Sequence, residues 1–420
     1  MTKRAWLSIA LGLAGILPGF VVAVAAHTSN PFEIPAVVSL VLLGLAVWCA
    51  ATVLSWAGEA LEIDLKGTLA LALLAIVAIL PEYVVDVDLA LKAGADPVKY
   101  APLASANMNG ATRLLVGFAL PLVVLVAAAA QRRRRRALAS EAAAPGGPIR
   151  TGLTMPAHTH GTLFFIVLAC AVAIGGVLTG QLHIAVGVVL LVIFGVFLFY
   201  TSRGEEREPD LVGVSAQIGD LPRAKRLALI TALFLMAGAT IFVVVEPFIE
   251  SLVHTASVLG ISDYFLIKWL APIASEAPEV ILALTLAAHR KPAEGVLLLC
   301  TAIANQWSAL VGSLPVAFKI GGGDWALPLT HADNLQVKEF LLTASVTAVA
   351  VAFLVGLRVP LWAPAFMLVT FVAEFALPNE SALMVLAAIN AAVALVILGL
   401  NRRQLPALVK APFQASHAQE

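Results

Sequence analysis

Leu80-Pro81-Glu82 and, 197 positions further on, Ala277-Pro278-Glu279 decide how this chain is read. Each tripeptide lies inside a long apolar segment and is followed, about 30 residues later, by amides, a Leu-Val-Gly run and a proline. After Glu82 come Asn107, Asn109 and Leu114-Leu115-Val116-Gly117-Phe118-Ala119-Leu120-Pro121. After Glu279 come Asn305, Gln306 and Ala309-Leu310-Val311-Gly312-Ser313-Leu314-Pro315. A proline beside a carboxylate is costly inside a spanning helix, so its recurrence in matching surroundings argues for a function.

Composition places those segments in a membrane. Of 420 residues, 60% are hydrophobic and only 12% charged, with a mean hydropathy of +0.95. A soluble chain carries about 25% charge. Twelve apolar blocks are long enough to cross a hydrocarbon core of roughly 30 Å. They fall near residues 5–26, 35–57, 66–92, 98–129, 161–180, 182–201, 226–250, 263–290, 293–320, 335–357, 360–377 and 381–400. The expected fold is therefore an all-α polytopic membrane protein. The formal net charge is zero, which gives no electrostatic case for nucleic acid.

The positive-inside rule sets an expected orientation. With Lys3 and Arg4 inside, the inner connections hold Arg132 to Arg136, the linker from Arg203 to Arg226, His289-Arg290-Lys291, Arg358 and Arg402-Arg403. Outer connections near 27–34, 181, 251–262, 321–334 and 378–380 have no Lys or Arg. Lys92 and Lys99 flank one short outer loop, and the inner turn at 58–65 is acidic; these are the two exceptions. Both termini are expected on the cytoplasmic side of the cell (inner) membrane. The Pro81-Glu82 span then runs outward and the Pro278-Glu279 span inward, so the repeats are inverted, as in transporters with a midplane site.

The expected organisation is an extra helix over 1–34 and a first half over 35–201, with an Arg-rich loop at 131–158. A linker over 202–225, a second five-helix half over 226–377 and an extra helix with tail over 378–420 complete it. An alternative for the first span is a signal peptide or anchor, since Lys3 and Arg4 precede an apolar run ending Ala23-Val24-Ala25.

At the two Pro-Glu sites the chain resembles the cation/calcium exchanger superfamily, which includes the sodium/calcium exchangers and bacterial relatives. Members carry two inverted repeats, each with a Gly-Thr-Ser-Leu-Pro-Glu-like stretch, followed on the next helix by Asn or Asp and a Leu-Val-Gly-like run. Here the second repeat reads Ala274-Ser275-Glu276-Ala277-Pro278-Glu279, and the first Val77-Ala78-Ile79-Leu80-Pro81-Glu82, without the hydroxyl pair. The resemblance implies that Glu82 and Glu279 are paired cation ligands. Ser275 stands for the family's threonine, Glu276 occupies its serine position, and Gln306 falls where relatives carry Asn or Asp. Asn107 and Asn109 match only approximately. Arg113, one turn before Gly117, is the largest departure, and as a site-tuning charge it could replace one bound sodium.

The residues themselves support a hard-cation site. Glu82 and Glu279 each lie about 16 residues into their spans, close to the midplane at 1.5 Å per residue. A lone charge there costs about 2.5–3.5 kcal/mol, so Glu82, Glu276 and Glu279 together would cost on the order of 10 kcal/mol if ionised and unpaired. A bound cation, a proton or Arg113 must offset this; a static Glu–Arg bridge is the structural alternative. Pro81 and Pro278 free the carbonyls of Val77 and Ala274 as possible ligands, or serve only as kinks. Asp86, one turn beyond Glu82, is either an outer ligand or a snorkelling group, and Asp88 is interfacial. Ser275 shares the face of Glu279, with back-bonding to its own helix as the alternative. Asn107, Asn109, Asn305 and Gln306 are buried amides that either complete the site or join helices. Glu246, Lys268 and Glu374, near span ends, are expected to snorkel.

Calcium against sodium or protons is the leading exchange, with sodium/proton antiport as the rival. No resident cofactor is expected; the partners are inorganic cations and the lipid bilayer. Cys49, Cys170 and Cys300 lie in separate apolar segments and read as small hydrophobes. The histidines fall in loops or near span ends, which disfavours a soft metal. A channel would need a polar stripe along a helix, a scaffold has no need of inverted Pro-Glu spans, and no Ser/His constellation points to an enzyme.

Overall fold

Each of the twelve expected spans contains a helix in the computed structural model, which describes residues 1–28, 34–64, 80–141, 152–202, 211–288, 292–329, 334–376 and 380–413. The helices are α1 (Lys3–Ala26), α2 (Ala36–Leu61), α3 (Leu80–Ala95) and α4, which begins as Pro97–Arg113. Next come α5 (Thr159–Val177), α6 (Ile184–Ser202), α7 (Arg223–Leu259), α8 (Asp263–Ala288) and α9, which begins as Pro292–Asn305. Last are α10 (Leu335–Val355), α11 (Trp362–Ala376) and α12 (Glu380–Leu400). Among the described residues, ten helices are long and apolar enough to cross a membrane, and α11 is a shorter apolar one. Residues 66–79 of the third expected span, Val77 among them, lie outside the described residues. So do Arg203, His289-Arg290-Lys291, His331 and His417.

Helices α4 and α9 share an irregularity. In α4 the α-helix gives way to a π-helical segment at Leu114–Ala119 and resumes over Leu120–Glu141. In α9 the π-helical segment is Gln306–Leu310, followed by Val311–Ile320. The first covers the Leu-Val-Gly run of α4, and the second ends at Leu310, where the run of α9 begins. The continuation of α4 to Glu141 replaces the loop expected from Gln131, because arginine is a good helix former and no proline intervenes before Pro145. Likewise α7 extends to Leu259, and its Gly260 cap is left-handed (φ 66°). That carries His254 and the expected outer loop from 251 into helix.

The chain forms two compact units, each drawing on both sequence halves. The first comprises Met1–Ala111, Gly195–Glu279 and Ser313–Leu327. In it α2 lies along α7, α1 packs on α2, and α3 packs on α7, burying Leu43, Val47, Leu54, Val244, Phe248 and Leu252. Small residues set the helix spacing, as van der Waals contact rather than hydrophobic expulsion drives association in lipid. At Gly110 a Cβ would meet the Lys268 carbonyl oxygen of α8 at 1.7 Å, so backbone lies on backbone. Near the α2–α7 ends, Arg226 donates to both Asp64 oxygens (2.6 and 2.7 Å) and to the carbonyls of Gly219 and Leu221. The guanidinium holds the Asp64 carboxyl below its ordinary range. Ser55 and Ser215, the latter on the short helix Val214–Gly219, donate to Glu59.

The second unit comprises Thr112–Phe194, Val280–Gly312 and Pro328–Glu420. Here α10 packs on α12 and α5, α9 on α4 and α5, and α11 on α4. Trp307, in the π segment of α9, is fully buried and donates to Thr347 Oγ1 of α10 (3.1 Å). Leu153–Thr154 pairs antiparallel with Arg358–Val359. Exposed Val369, Leu395 and Val396 give α11 and α12 apolar outer faces suited to lipid.

Candidate functional site

The first unit gathers most of the expected acidic residues. Pro81 and Glu82 are the second and third residues of α3 as described, and Glu82 is buried. One turn later Asp86 is fully buried, so it does not snorkel. Asn107 of α4 donates to Asp86 Oδ1 (2.9 Å). Asp86 Oδ2 and Asn107 Oδ1 are buried with no hydrogen-bond partner, so two oxygen acceptors remain unsatisfied in an apolar setting.

On α8, Glu276 is buried and Glu279 half-buried. Their carboxyl groups lie within interaction range of each other. Asp86 of α3 is close enough to Glu276 of α8 for their charges to interact. The two Pro-Glu helices therefore bring acids together. Tyr83, which sequence reasoning missed, lies near Glu82 and Asp86 and hydrogen-bonds Ser313 of the second Leu-Val-Gly run.

The remaining candidates have other attachments. Ser275 Oγ back-bonds to the carbonyls of Ala271 and Pro272 (3.4 and 3.3 Å), the ordinary behaviour of a helix serine. Asn109 donates to the Ser105 carbonyl of its own helix (2.9 Å). Asn305 and Gln306 are buried in the second unit, and Asn305 Oδ1 has no hydrogen-bond partner. Ala274 is buried. Among the described residues, no group of three His, Cys, Asp or Glu side chains is arranged to hold a metal ion unaided. Any cation here must draw on amide or carbonyl oxygens as well, which suits a hard ion.

Arg113 is found paired, and two expectations of snorkelling are corrected. Arg113 is completely buried in the second unit, where it donates to both Glu339 and Glu374. Its charge is met there by carboxylates on α10 and α11. Glu374, expected to snorkel, is buried because it has this partner. Lys268 is buried too, its ammonium 5.0 Å from the Trp269 ring centroid. Glu246, by contrast, is half exposed and pairs with Lys92 (3.4 Å), which also bridges to Asp88 (3.1 Å). A cavity of about 370 Å³ runs between α3 and α7 from Leu80 and Tyr83 to Asp88 and Glu246.

The model for the sodium/calcium exchanger protein family matches residues 6–203 and 229–377. The chain belongs to that family. No curated protein matches the sequence. A crystal structure of the H+/Ca2+ exchanger CAX is similar over 99% of this chain and 100% of its own, at 27% identity and a TM-score of 0.87. The native structure of YfkE covers 91% of this chain and 99% of its own at 14% identity, with a TM-score of 0.59. A structure of the sodium-calcium exchanger NCX_Mj covers 88% and 100% at 14% identity, with a TM-score of 0.51. The last two likenesses are likenesses of fold. As an exchanger-family chain with ten or more spanning helices, this is a multi-pass membrane antiporter for inorganic cations.

Proposed function

We propose that this exchanger carries calcium inward or outward against protons, by alternating access to a site built on α3 and α8. The observation that carries the reading is the approach of Asp86 to Glu276, with buried Glu82 and the Glu276–Glu279 carboxyl pair beside them. Oxygen acceptors without partners at Asp86 and Asn107 add ligands of the type calcium prefers. Glu82 and Glu279 are the principal ligands. Glu276, Asp86 and Asn107 complete the set, and Ser275 and Asn109 tune it.

Protons rather than sodium are supported by two features. The likeness to an H+/Ca2+ exchanger spans the whole chain at 27% identity, against 14% for NCX_Mj. Two carboxyl groups this close to each other favour holding a proton between them, and a calcium ion entering there displaces it. The cavity between α3 and α7, with Asp88 and Glu246 at one end, supports an approach route from that side. Orientation with both termini in the cytoplasm of an inner membrane follows from the Lys/Arg bias.

The test is uptake of radiolabelled calcium into proteoliposomes under an imposed pH gradient or an imposed sodium gradient. Wild-type protein responds to the pH gradient, and Glu279→Gln abolishes uptake. Uptake driven by sodium alone refutes proton coupling, and a Glu279→Gln variant at the wild-type rate refutes the site.

A further inference from the structure

In the second unit, a cavity of about 580 Å³ opens where α10 and α12 end and α5 begins, lined by Thr154, Met155, Ala157, Leu357, Arg358 and Gln404. Hydrogen bonds tie its walls together. Thr154 and Arg358 are partners in the two-stranded ribbon, and Met155 donates its N–H to the Leu357 carbonyl (2.9 Å). Leu357 has a left-handed φ of 54°, which turns the chain out of α10 and into the strand. Asn401, just past α12, donates to the Ala352 carbonyl of α10 (3.3 Å), and Gln404 follows three residues later. On α4, the Gln131 side chain accepts from the Thr154 N–H and donates to the Thr154 carbonyl (3.4 Å each), which brings the start of the arginine run to the same layer.

This layer is basic. Arg358, Arg402, Arg403 and Lys410 are exposed, and among the described residues no carboxylate pairs with any of them. Arg132 Nε is buried without a hydrogen-bond partner. The carboxyl ends of α10 and α12 favour nearby cations, but that effect needs no cavity, whereas Arg358 and Gln404 line one. Apolar groups accompany the charges. Trp362 at the start of α11 is exposed, as are Val409 and Phe413 on and beside the short helix Leu405–Lys410, which packs on α5. Exposed aromatic and aliphatic groups beside arginine and lysine suit a membrane–water interface, where the former enter the acyl boundary and the latter meet headgroups.

We propose that this cavity binds the phosphate of an anionic lipid headgroup. Arg358 is the two-pronged donor, since a planar guanidinium matches two phosphate oxygens. Gln404 is a second donor, and Arg402 and Arg403 add to the positive field that attracts anionic lipid. A headgroup held there clasps the end of α10, the segment after α12 and the approach to α5. The site shares no residue with the acidic cluster of α3 and α8 and is independent of which ions are exchanged.

Thermal unfolding of the full-length protein in a neutral detergent, with graded phosphatidylglycerol, tests this. Tm rises with phosphatidylglycerol and saturates, as for any ligand of the folded state, while phosphatidylcholine at the same mole fraction leaves it unchanged. Arg358→Gln raises the half-saturating lipid concentration about fivefold, the equivalent of roughly 1 kcal/mol for one cation. Native mass spectrometry of that variant shows fewer retained phosphatidylglycerol molecules. Lys225→Gln, which removes an exposed cation of the first unit, keeps both readouts at wild-type values. If Arg358→Gln does not fold, Gln404→Ala must weaken binding in the same two readouts. Half-saturation unchanged in the folded variants, or an equal response to phosphatidylcholine, overturns the proposal. A rise in Tm with inorganic phosphate that matches the rise with lipid reassigns the cavity to free phosphate and overturns it too. Micelles carry no ion gradient, so this result stands or falls separately from the transport assay.

Discussion

Replacing Gly110 by alanine tests whether α4 and α8 truly meet backbone to backbone beside the candidate site. The added Cβ would lie 1.7 Å from the Lys268 carbonyl oxygen, 2.7 Å from its carbonyl carbon and 3.1 Å from its Cα. All three are backbone atoms, so no rotamer change relieves the clash. Real Cβ atoms essentially never approach closer than 3.0 Å, so the helices must part by about 1.3 Å at this point. Overpacking of this kind costs roughly 1–3 kcal/mol. Gly110 is one turn from Asn107, whose bond to Asp86 is 2.9 Å. A displacement of that size carried to Asn107 stretches the bond past hydrogen-bonding range. Misplacement by about 1 Å can lower a rate by about 100-fold. Gly110→Ala should therefore melt several degrees lower in detergent and take up calcium about 10- to 100-fold more slowly. Gly238→Ala, where a Cβ meets nothing within 4 Å, is the control and should behave as wild type. Wild-type melting and uptake by Gly110→Ala would refute the close approach and its link to Asn107.

Two further outcomes concern the ends of α2 and α7. Arg226→Ala removes a two-pronged bond to Asp64 and two carbonyl contacts, and should cost about 2 kcal/mol, read as a lower Tm. An unchanged Tm would show that the clasp is dispensable. The Asp64 part of this contribution is present above the ordinary carboxylate range and is lost as pH falls through its lowered folded value. Glu62, just past the end of α2, has its pKa pushed up to about 7 by burial and by the charge of Glu59. Its contribution is full at acid pH and is lost as pH rises towards 7. Glu62→Gln should flatten the decline in Tm over that interval, and an unaltered profile would count against burial of this carboxyl.

Block hydropathy made all twelve helices legible, because lipid demands about 20 apolar residues whatever the neighbours are. The two Pro-Glu stretches were legible for a related reason: an acid inside such a block stands out against it. What escaped was whatever depends on partners remote in the chain. Glu374 looked interfacial from its place near the end of α11, and only Arg113, 261 positions away, explains its burial. Arg113 invited a role at the cation site because Glu339 is equally remote in sequence. Gly110 carries no sequence sign of its crossing with Lys268, and nothing in the sequence ties Tyr83 to Ser313. The π segments left no composition signal, since Leu114–Ala119 and Gln306–Leu310 are equally at home in an α-helix.

Those paired π segments amount to a change of phase written into each repeat. A turn that holds one residue more than the α-helix rotates everything beyond it by about 100° relative to an uninterrupted helix. Gly117 meets Phe371, and Gly312 meets Gly187 and Leu190, from orientations that a straight helix bearing Asn107 or Asn305 would not present. Spacing counted along the chain therefore misstates angular position on both helices. A single-residue deletion there would re-aim half a helix while barely altering its length.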